Sequence, residues 1–235
     1  MDANQLALVR GMADTRATLD RWNLDPWPVL RSWLLWSVAI AVGLLATVWV
    51  IARAATPDST GLLVPNVNTE GTLGDAMALF GRNLLVLALH SMACVAGFMA
   101  GSSLPQVAEG HTGASRWVHE KAGPLAIGFV VCATAFSLAT QAYALGHGAS
   151  TIAAQFHTSP ATLLFCLLPH ALPELTALFL PLAAWIIASR AGRWNELLAA
   201  TFVTTALALP VLLIACLVEV FVSPLVIQAI VNPAV

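Results

Sequence analysis

The sequence predicts an all-α integral membrane protein, a helical bundle with about five transmembrane helices. Of its 235 residues, 59% are hydrophobic and only 9% are charged. Soluble domains carry about 25% charged residues, so this composition is typical of a chain surrounded by lipid. The few basic residues form no stripe of the kind that binds nucleic acid. The lipid bilayer is therefore the first predicted partner, and nucleic acid is excluded.

The chain begins with an amphipathic segment and continues as one transmembrane domain. Residues 1–28 interleave apolar and arginine side chains, which is typical of a helix lying on the cytoplasmic interface or packing on the bundle. Residues 29–235 form the predicted single transmembrane domain. Apolar runs long enough to cross a bilayer predict its five spans. They are residues 33–51, 76–100, 124–145, 161–188 and 197–221.

The fourth span is interrupted by residues 169–175, Pro-His-Ala-Leu-Pro-Glu-Leu. Pro173 lacks a backbone donor and its ring clashes with the preceding turn, so we expect the helix to be broken or kinked at this motif. His170 and Glu174 are four residues apart and share one face of a helix. Ionisable side chains are costly in a bilayer and usually face a protein interior or a water-filled cavity. The motif therefore predicts a functional site.

The predicted spans also contain Arg82, Asn83, His90 and Glu219. A helix rises about 1.5 Å per residue, which gives a depth for each side chain from the outer end of its span. Glu219 then lies roughly 5 Å deep, whereas Glu174 and His90 lie roughly 20 Å deep. These depths predict one cavity that opens outward. Arg82 and Glu219 would lie near its mouth, and His90 and Glu174 at its floor.

The basic residues predict the orientation of the protein in the membrane. If the N-terminus is cytoplasmic, the cytoplasmic segments hold eight of the ten basic residues, and only Arg53 falls in an outer loop. Such a bias is typical of cytoplasmic loops. The eight are Arg10, Arg16, Arg21, Arg31, Arg116, Lys121, Arg190 and Arg193. We therefore predict a multi-pass protein of the cell membrane with its N-terminus in the cytoplasm and its C-terminus outside.

Three features resemble the stage II sporulation protein M family of integral membrane proteins. The Pro-His-Gly-x-x-Glu-Leu motif of that family corresponds to residues 169–175. Its carboxylate late in the last helix corresponds to Glu219. Its asparagine at the start of a helix with spaced glycines corresponds to Asn83, followed by Gly97 and Gly101. The features occur in the order that the family has them.

The resemblance extends over roughly residues 76–224 and has two departures. Ala171 replaces the glycine of the motif, and the expected Asn-Gly pair is missing from residues 102–123. The family has two known contexts: a sporulation complex, in which it recruits peptidoglycan-degrading partners, and gene clusters for circular bacteriocins. In the second context a member is needed to make or export the ring-closed peptide. The resemblance thus implies either partner recruitment or peptide maturation, the latter being more typical of short members.

One hypothesis is an intramembrane metal site. His170, Glu174 and His90 are ligand types that hold zinc or another divalent metal, and Glu219 would be a general base. His170, Glu174 and Glu219 would then act as catalytic residues in cleaving or ring-closing a hydrophobic, membrane-associated peptide. The cavity would also be lined by Arg82 and Asn83.

The alternative hypothesis is a non-catalytic scaffold or export subunit. The same residues would form a hydrogen-bonded network that holds the bundle, and the membrane faces would bind partner proteins or a second copy of the chain. A transporter is disfavoured because no other part of the chain repeats the fourth span. Polar links in lipid contribute only about 0.6 kcal/mol each, a weak reason to keep several costly groups. The sequence therefore favours a peptidase or peptide transferase, and the scaffold stays open.

Overall fold

The computed structural model describes residues 7–66, 68–103 and 112–231. Over these ranges the chain forms seven α-helices, and its only β pairing is one isolated bridge between Pro65 and Thr69. The all-α prediction is confirmed. The helices are α1 (Ala7–Leu24), α2 (Trp27–Ala54), α3 (Leu73–Phe98), α4 (Gly113–Gln155), α5 (Pro160–Arg190), α6 (Leu197–Phe221) and α7 (Ser223–Val231). A π-helical turn, Met99–Ser103, follows α3, and a 3₁₀ turn, Trp194–Glu196, precedes α6.

Five helical segments are long and apolar enough to cross a membrane. Each contains one of the five predicted spans, and each extends beyond it because helical structure continues past the apolar stretch. The segments are Trp27–Ala54, Leu73–Ser102, Ala122–Gln155, Pro160–Arg190 and Trp194–Phe221. Their number and order confirm the predicted transmembrane bundle.

Helix α5 runs without interruption through the motif at residues 169–175. The predicted break does not occur, and this part of the fold prediction is wrong. Proline is tolerated in a transmembrane helix where neighbouring groups satisfy the freed backbone atoms. More than half of the most apolar stretch of α5 is buried. Packing along the helix therefore outweighs the backbone bonds lost at Pro169 and Pro173.

The first of two compact units comprises Met1–Ser37, Leu87–Ala135 and Phe179–Leu207. Trp22 of α1 and Trp33 of α2 meet edge to face there, with ring centroids 5.1 Å apart. Aromatic pairs prefer this arrangement. Helix α1 therefore packs on this unit through the indole of Trp22, which is buried.

Gly97 and Gly101 let large side chains approach α3 and the π-helical turn closely. A Cβ at Gly97 would lie 2.8 Å from atoms of Trp185 and Leu197. A Cβ at Gly101 would overlap the ring of Trp194. This Gly-x-x-x-Gly step therefore serves packing within the first unit.

The second compact unit comprises Val38–Val86, Phe136–Leu178 and Ala208–Val235. Its core includes Leu163 and Cys166 of α5 together with Ile227 of α7, all buried. Residues 223–235 are an uncharged tail by sequence. As far as Val231 this tail is helical and contributes to the core of the second unit.

The loop between α2 and α3 is bonded to the end of α4. Ser150 Oγ donates to the carbonyl oxygen of Ala55 at 3.1 Å. Thr151 Oγ1 accepts a hydrogen bond from the backbone N–H of Asp58 at 3.0 Å. Gln155 Nε2 donates to the carbonyl oxygen of Leu62 at 3.1 Å. These bonds fix the loop within the second unit.

Candidate metal-binding site

His170, Glu174 and Glu219 come together in the second unit. One ring nitrogen of His170 and one carboxylate oxygen of each glutamate all lie within 4.8 Å of one another. Helix α5 brings the first two together because residues four apart share a helix face. Glu219 comes from the last turn of α6. One imidazole and two carboxylates are ligand types that divalent metals such as zinc use.

The proximity of Glu174 and Glu219 corrects the predicted depths. Those depths placed Glu219 near the mouth of the cavity and Glu174 at its floor, about 15 Å apart along the helices. In the structure their carboxylate oxygens lie within 4.8 Å of each other. The prediction was wrong because it took the end of α6 as the end of the apolar chain, whereas the apolar helix α7, Ser223–Val231, follows it.

His170 is held by a short relay of hydrogen bonds. Its Nδ1 lies 2.6 Å from Ser223 Oγ. The Ser223 hydroxyl donates to the carbonyl oxygen of Val218 at 3.2 Å. When the hydroxyl gives its one proton to Val218 O, Ser223 Oγ accepts from the Nδ1–H of His170. In that tautomer Nε2 carries the lone pair that can bind a metal ion.

Glu174 is oriented by an amide from α3. Asn83 Nδ2 donates to Glu174 Oε1 at 2.7 Å. The same nitrogen lies 3.5 Å from Cys216 Sγ. Asn83, predicted from sequence as a cavity residue, thus contacts the candidate site directly. It fixes one carboxylate oxygen of Glu174 and leaves the other less constrained.

Arg82, the other predicted cavity residue, is exposed and acts at longer range. Its guanidinium interacts electrostatically with both Glu174 and Glu219. Among the described residues, no ion pair joins Arg82 to Glu174 or to Glu219. Arg82 therefore contributes positive charge near the site without a direct bond.

His90, the third predicted metal ligand, belongs to the first unit. It is fully buried, and its ring packs against that of Phe179 with centroids 5.3 Å apart. Among the described residues, the group of potential ligands contains Glu219 and does not contain His90. The structure thus brings together two of the three predicted ligands and adds the residue predicted as a base.

A largely apolar cavity of about 250 Å³ adjoins the three side chains. Helices α2, α4 and α5 supply its apolar wall, which includes Val48, Gly148 and Leu164. The polar groups on its lining are His170, Glu174 and Glu219. Ligand sites in proteins are typically apolar clefts with a few polar groups of this kind. The cavity therefore combines an apolar wall with one polar cluster.

The sequence prediction did not include Ser223 or Cys216 as site residues. Ser223 lies four residues after Glu219 and directly before a proline. Such a serine at the junction of two helices often bonds to nearby backbone or side-chain atoms, and this was the available signal. Cys216 lies three residues before Glu219 and so shares its face. It is buried.

The family model of stage II sporulation protein M matches residues 121–224, which is less than half of the chain. None of the curated proteins and none of the solved structures compared with the chain matches it. The matched segment includes His170, Glu174 and Glu219, whereas Arg82 and Asn83 lie outside it. The chain is a multi-pass membrane protein, and over residues 121–224 its predicted resemblance to the stage II sporulation protein M family is confirmed.

Proposed function

We propose that His170, Glu174 and Glu219 bind a divalent metal ion, with zinc as the best fit, and that the site processes a hydrophobic peptide within the membrane. The observation that carries this proposal is the grouping of three ligand atoms within 4.8 Å. Three protein ligands leave a position open for a substrate or water, as in catalytic zinc sites. Glu219 takes the ligand position that the sequence analysis gave to His90.

The surroundings of the ligands support a metal site. Histidines that bind metals almost always use their second nitrogen for a hydrogen bond that fixes the tautomer. The contact of His170 with Ser223 has this form. Ligating carboxylates are likewise held by hydrogen bonds, as Asn83 holds Glu174. Both ligands are therefore pre-oriented.

Charge also favours a cation at this position. Two carboxylates that are partly buried in a membrane protein repel each other and are costly to keep ionised. A divalent ion would offset both negative charges. The exposed guanidinium of Arg82 offsets the same charges to a smaller extent. Placing Glu174 and Glu219 together costs free energy, and polar links in lipid contribute little to stability. A functional role therefore explains the pair better than a stabilising one.

The reaction follows from the cavity and the ligands. His170, Glu174 and Glu219 would hold the divalent ion, which would polarise the carbonyl of a substrate amide. The apolar wall of the cavity binds the hydrophobic side of the peptide, and the cluster lies at its polar end. Attack by water would cleave the amide, with the proton going to the departing amine. Attack by the free amine of the peptide on the same carbonyl would instead close a ring: the new amide bond replaces the old one, and the released segment leaves as an amine that takes the proton.

We place the site on the outer side of the membrane, with the N-terminus of the chain in the cytoplasm. Support comes from the distribution of arginine and lysine in the sequence. Under this orientation Pro160 marks the outer end of α5. His170 then lies about 15 Å along the helix from that end. A substrate would enter from the membrane or from the outer surface.

A non-catalytic scaffold is the second candidate. The observation that favours it is that His170 and Glu174 already have hydrogen-bond partners in Ser223 and Asn83. Such a network can hold α3, α5 and the α6–α7 junction together without any metal. The chain would then act by binding partner membrane proteins or a second copy of itself.

Metal content distinguishes the two candidates. The full chain would be purified in detergent and its bound metals measured by elemental mass spectrometry, for wild type, His170→Ala and Glu174→Gln. His147→Ala and Glu70→Gln are matched controls, because they change the same residue types outside the ligand group. Near-stoichiometric metal that only the two site variants lose supports the metal site. Folded wild type that binds no added zinc would overturn it and favour the scaffold.

A further inference from the structure

The end of α6 carries two backbone carbonyls that are bonded by side chains from other segments. The last four carbonyls of a helix have no partner within it. Val218 O accepts from the hydroxyl of Ser223 at 3.2 Å, and Val220 O accepts from Asn66 Nδ2 at 2.8 Å. Glu219 lies between these two residues. Val218 O also accepts from the backbone N–H of Val222 at 2.9 Å. These bonds hold the backbone on both sides of Glu219.

Asn66 is built firmly into the loop between α2 and α3. Its backbone is in the left-handed region, with φ of 57°, where asparagine is among the few tolerated residues. Its N–H donates to Thr69 O at 2.7 Å, and its Oδ1 accepts from the N–H of Gly71 at 2.9 Å. A Cβ at Gly71 would overlap the Asn66 amide, so the adjoining glycine leaves room for this side chain.

Helix α7 contacts the same residue from the other side. Gln228 Nε2 donates to the backbone carbonyl of Asn66 at 3.4 Å. Asn66 thus links the loop to α6 through its side chain and to α7 through its main chain. Ser223, which orients His170, begins α7. The loop is therefore bonded to both helices that meet beside the candidate site.

We propose that Asn66 is a positioning residue for the site: its amide fixes the end of α6 so that Glu219 stays in place beside His170 and Glu174. The importance for metal binding rests on the proposed function. The effect of Asn66 on the geometry of α6 does not rest on the proposed function, and it can be measured without any metal. The loop that carries Asn66 thus helps to position a ligand of the site, although it supplies no ligand itself.

Two asparagines in the same loop provide a matched pair of variants. Asn66→Asp removes the donor to Val220 O, while it keeps an acceptor for Gly71 and a residue that tolerates the left-handed backbone. Asn68→Asp is the control, because the Asn68 amide donates to Leu62 O at 2.8 Å and accepts from Val64 N at 2.6 Å. These bonds lie within the loop.

The first measurement uses two buried cysteines of the second unit as reporters. Cys216 lies one turn before Glu219 on α6, and Cys166 lies in the core beside α7. Alkylation of each by N-ethylmaleimide would be followed by mass spectrometry in the full chain. We expect Asn66→Asp to raise the rate at Cys216 several-fold and leave Cys166 unchanged. Equal increases at both cysteines, or no increase in Asn66→Asp, would overturn the proposal.

The second measurement uses Co²⁺ as the probe, because its visible spectrum reports ligand geometry. We expect Asn66→Asp to alter this spectrum and to weaken Co²⁺ binding by about 10-fold or more, as for other residues that orient ligands. Asn68→Asp should match wild type, and an equal effect in both variants would contradict a specific role. If wild type binds no Co²⁺, the metal proposal fails and the cysteine rates alone decide the role of Asn66.

Discussion

The two units of this protein each contain a buried histidine in an apolar helix, and they surround it differently. His90 packs against the ring of Phe179 in the first unit. His170 meets the hydroxyl of Ser223 and lies beside two carboxylates in the second. Burial is almost the same, at 0% and 6% exposure. The two carboxylates beside His170, and not burial, therefore distinguish the candidate site.

Glycines show the same contrast. In the first unit, Trp185 and Trp194 fill the space beside Gly97 and Gly101. In the second, Gly148 lines the cavity of about 250 Å³, and the nearest atom to an added Cβ would be Leu62 Cδ1 at 3.9 Å. Gly97 and Gly101 thus permit close packing, whereas Gly148 leaves space at the wall of the cavity.

Replacing the two histidines tests this comparison most severely. We expect His170→Ala to weaken zinc binding by more than about 100-fold, since loss of a ligand exceeds the 10–100-fold effect of its supporting groups. His90→Ala should retain zinc binding and lower the stability by on the order of 2 kcal/mol, because it leaves a cavity beside Phe179. Chelator competition and thermal unfolding in detergent would measure these effects. Loss of zinc binding in His90→Ala would instead make His90 a ligand.

Local spacing explains which parts of the site the sequence predicted. His170 and Glu174 are one turn apart on a single helix, so their shared face follows from helix geometry alone. The approach of Glu219 depends on α7, whose apolar residues look like a tail in the sequence. The partners of His170 and Glu174 come from segments distant in the chain. Such contacts depend on tertiary packing that no local pattern specifies.

The difference between local patterns and tertiary packing also explains which parts of the fold the sequence predicted. Apolar runs of sufficient length predicted five spans, because the bilayer requires every one of them to be helical. The break expected at Pro173 was wrong because the rule about proline is local, whereas the burial of α5 is not. The sequence also placed His90 at the same depth in the membrane as Glu174, which is why it was predicted as a ligand. Its contact with Phe179 could be known only from the packing of α3 and α5.

Replacing Ser223 tests the role of its hydrogen bond to His170. We expect Ser223→Ala to weaken zinc binding by about 10- to 100-fold, because the imidazole loses the acceptor that fixes its tautomer. Ser150→Ala is the matched control: Ser150 is also buried in the second unit, but its hydroxyl bonds to the carbonyl of Ala55. Isothermal titration of both variants with zinc would measure the difference. Equal losses would mean that the effect arises from general loosening of the unit.

Adding one methyl group to a glycine tests the packing contrast. Gly101→Ala should destabilise the protein by about 1–3 kcal/mol, because the new Cβ overlaps the ring of Trp194. Gly148→Ala should have little effect, because its Cβ would make an ordinary van der Waals contact with Leu62 Cδ1 at 3.9 Å. Unfolding followed by tryptophan fluorescence in detergent would compare the two. A greater loss in Gly148→Ala would contradict the presence of the cavity.

The smallest expected effects concern one arginine from each unit. Arg21 Nη2 bonds directly to Glu196 Oε1 at 2.7 Å, and its side chain is 59% exposed. Its partner Glu196 is buried but keeps Arg193 Nη1 at 3.2 Å. Arg21→Gln should therefore lower stability by on the order of 1 kcal/mol and leave zinc affinity unchanged. Arg82 has no such bond, but its positive charge acts on Glu174 and Glu219.

Removing the charge of Arg82 should therefore strengthen zinc binding, because a cation near the site disfavours a second one. Two unit charges interact by about 1 kcal/mol at 4 Å in water, so for an exposed guanidinium we expect a gain of less than about tenfold. Zinc titrations of Arg82→Gln and Arg21→Gln at low and high salt would measure it, and the gain should shrink with added salt. Weaker binding in Arg82→Gln would mean that the guanidinium holds the carboxylates in place instead of competing with the metal. The sign of this small change thus separates an electrostatic role for Arg82 from a structural one.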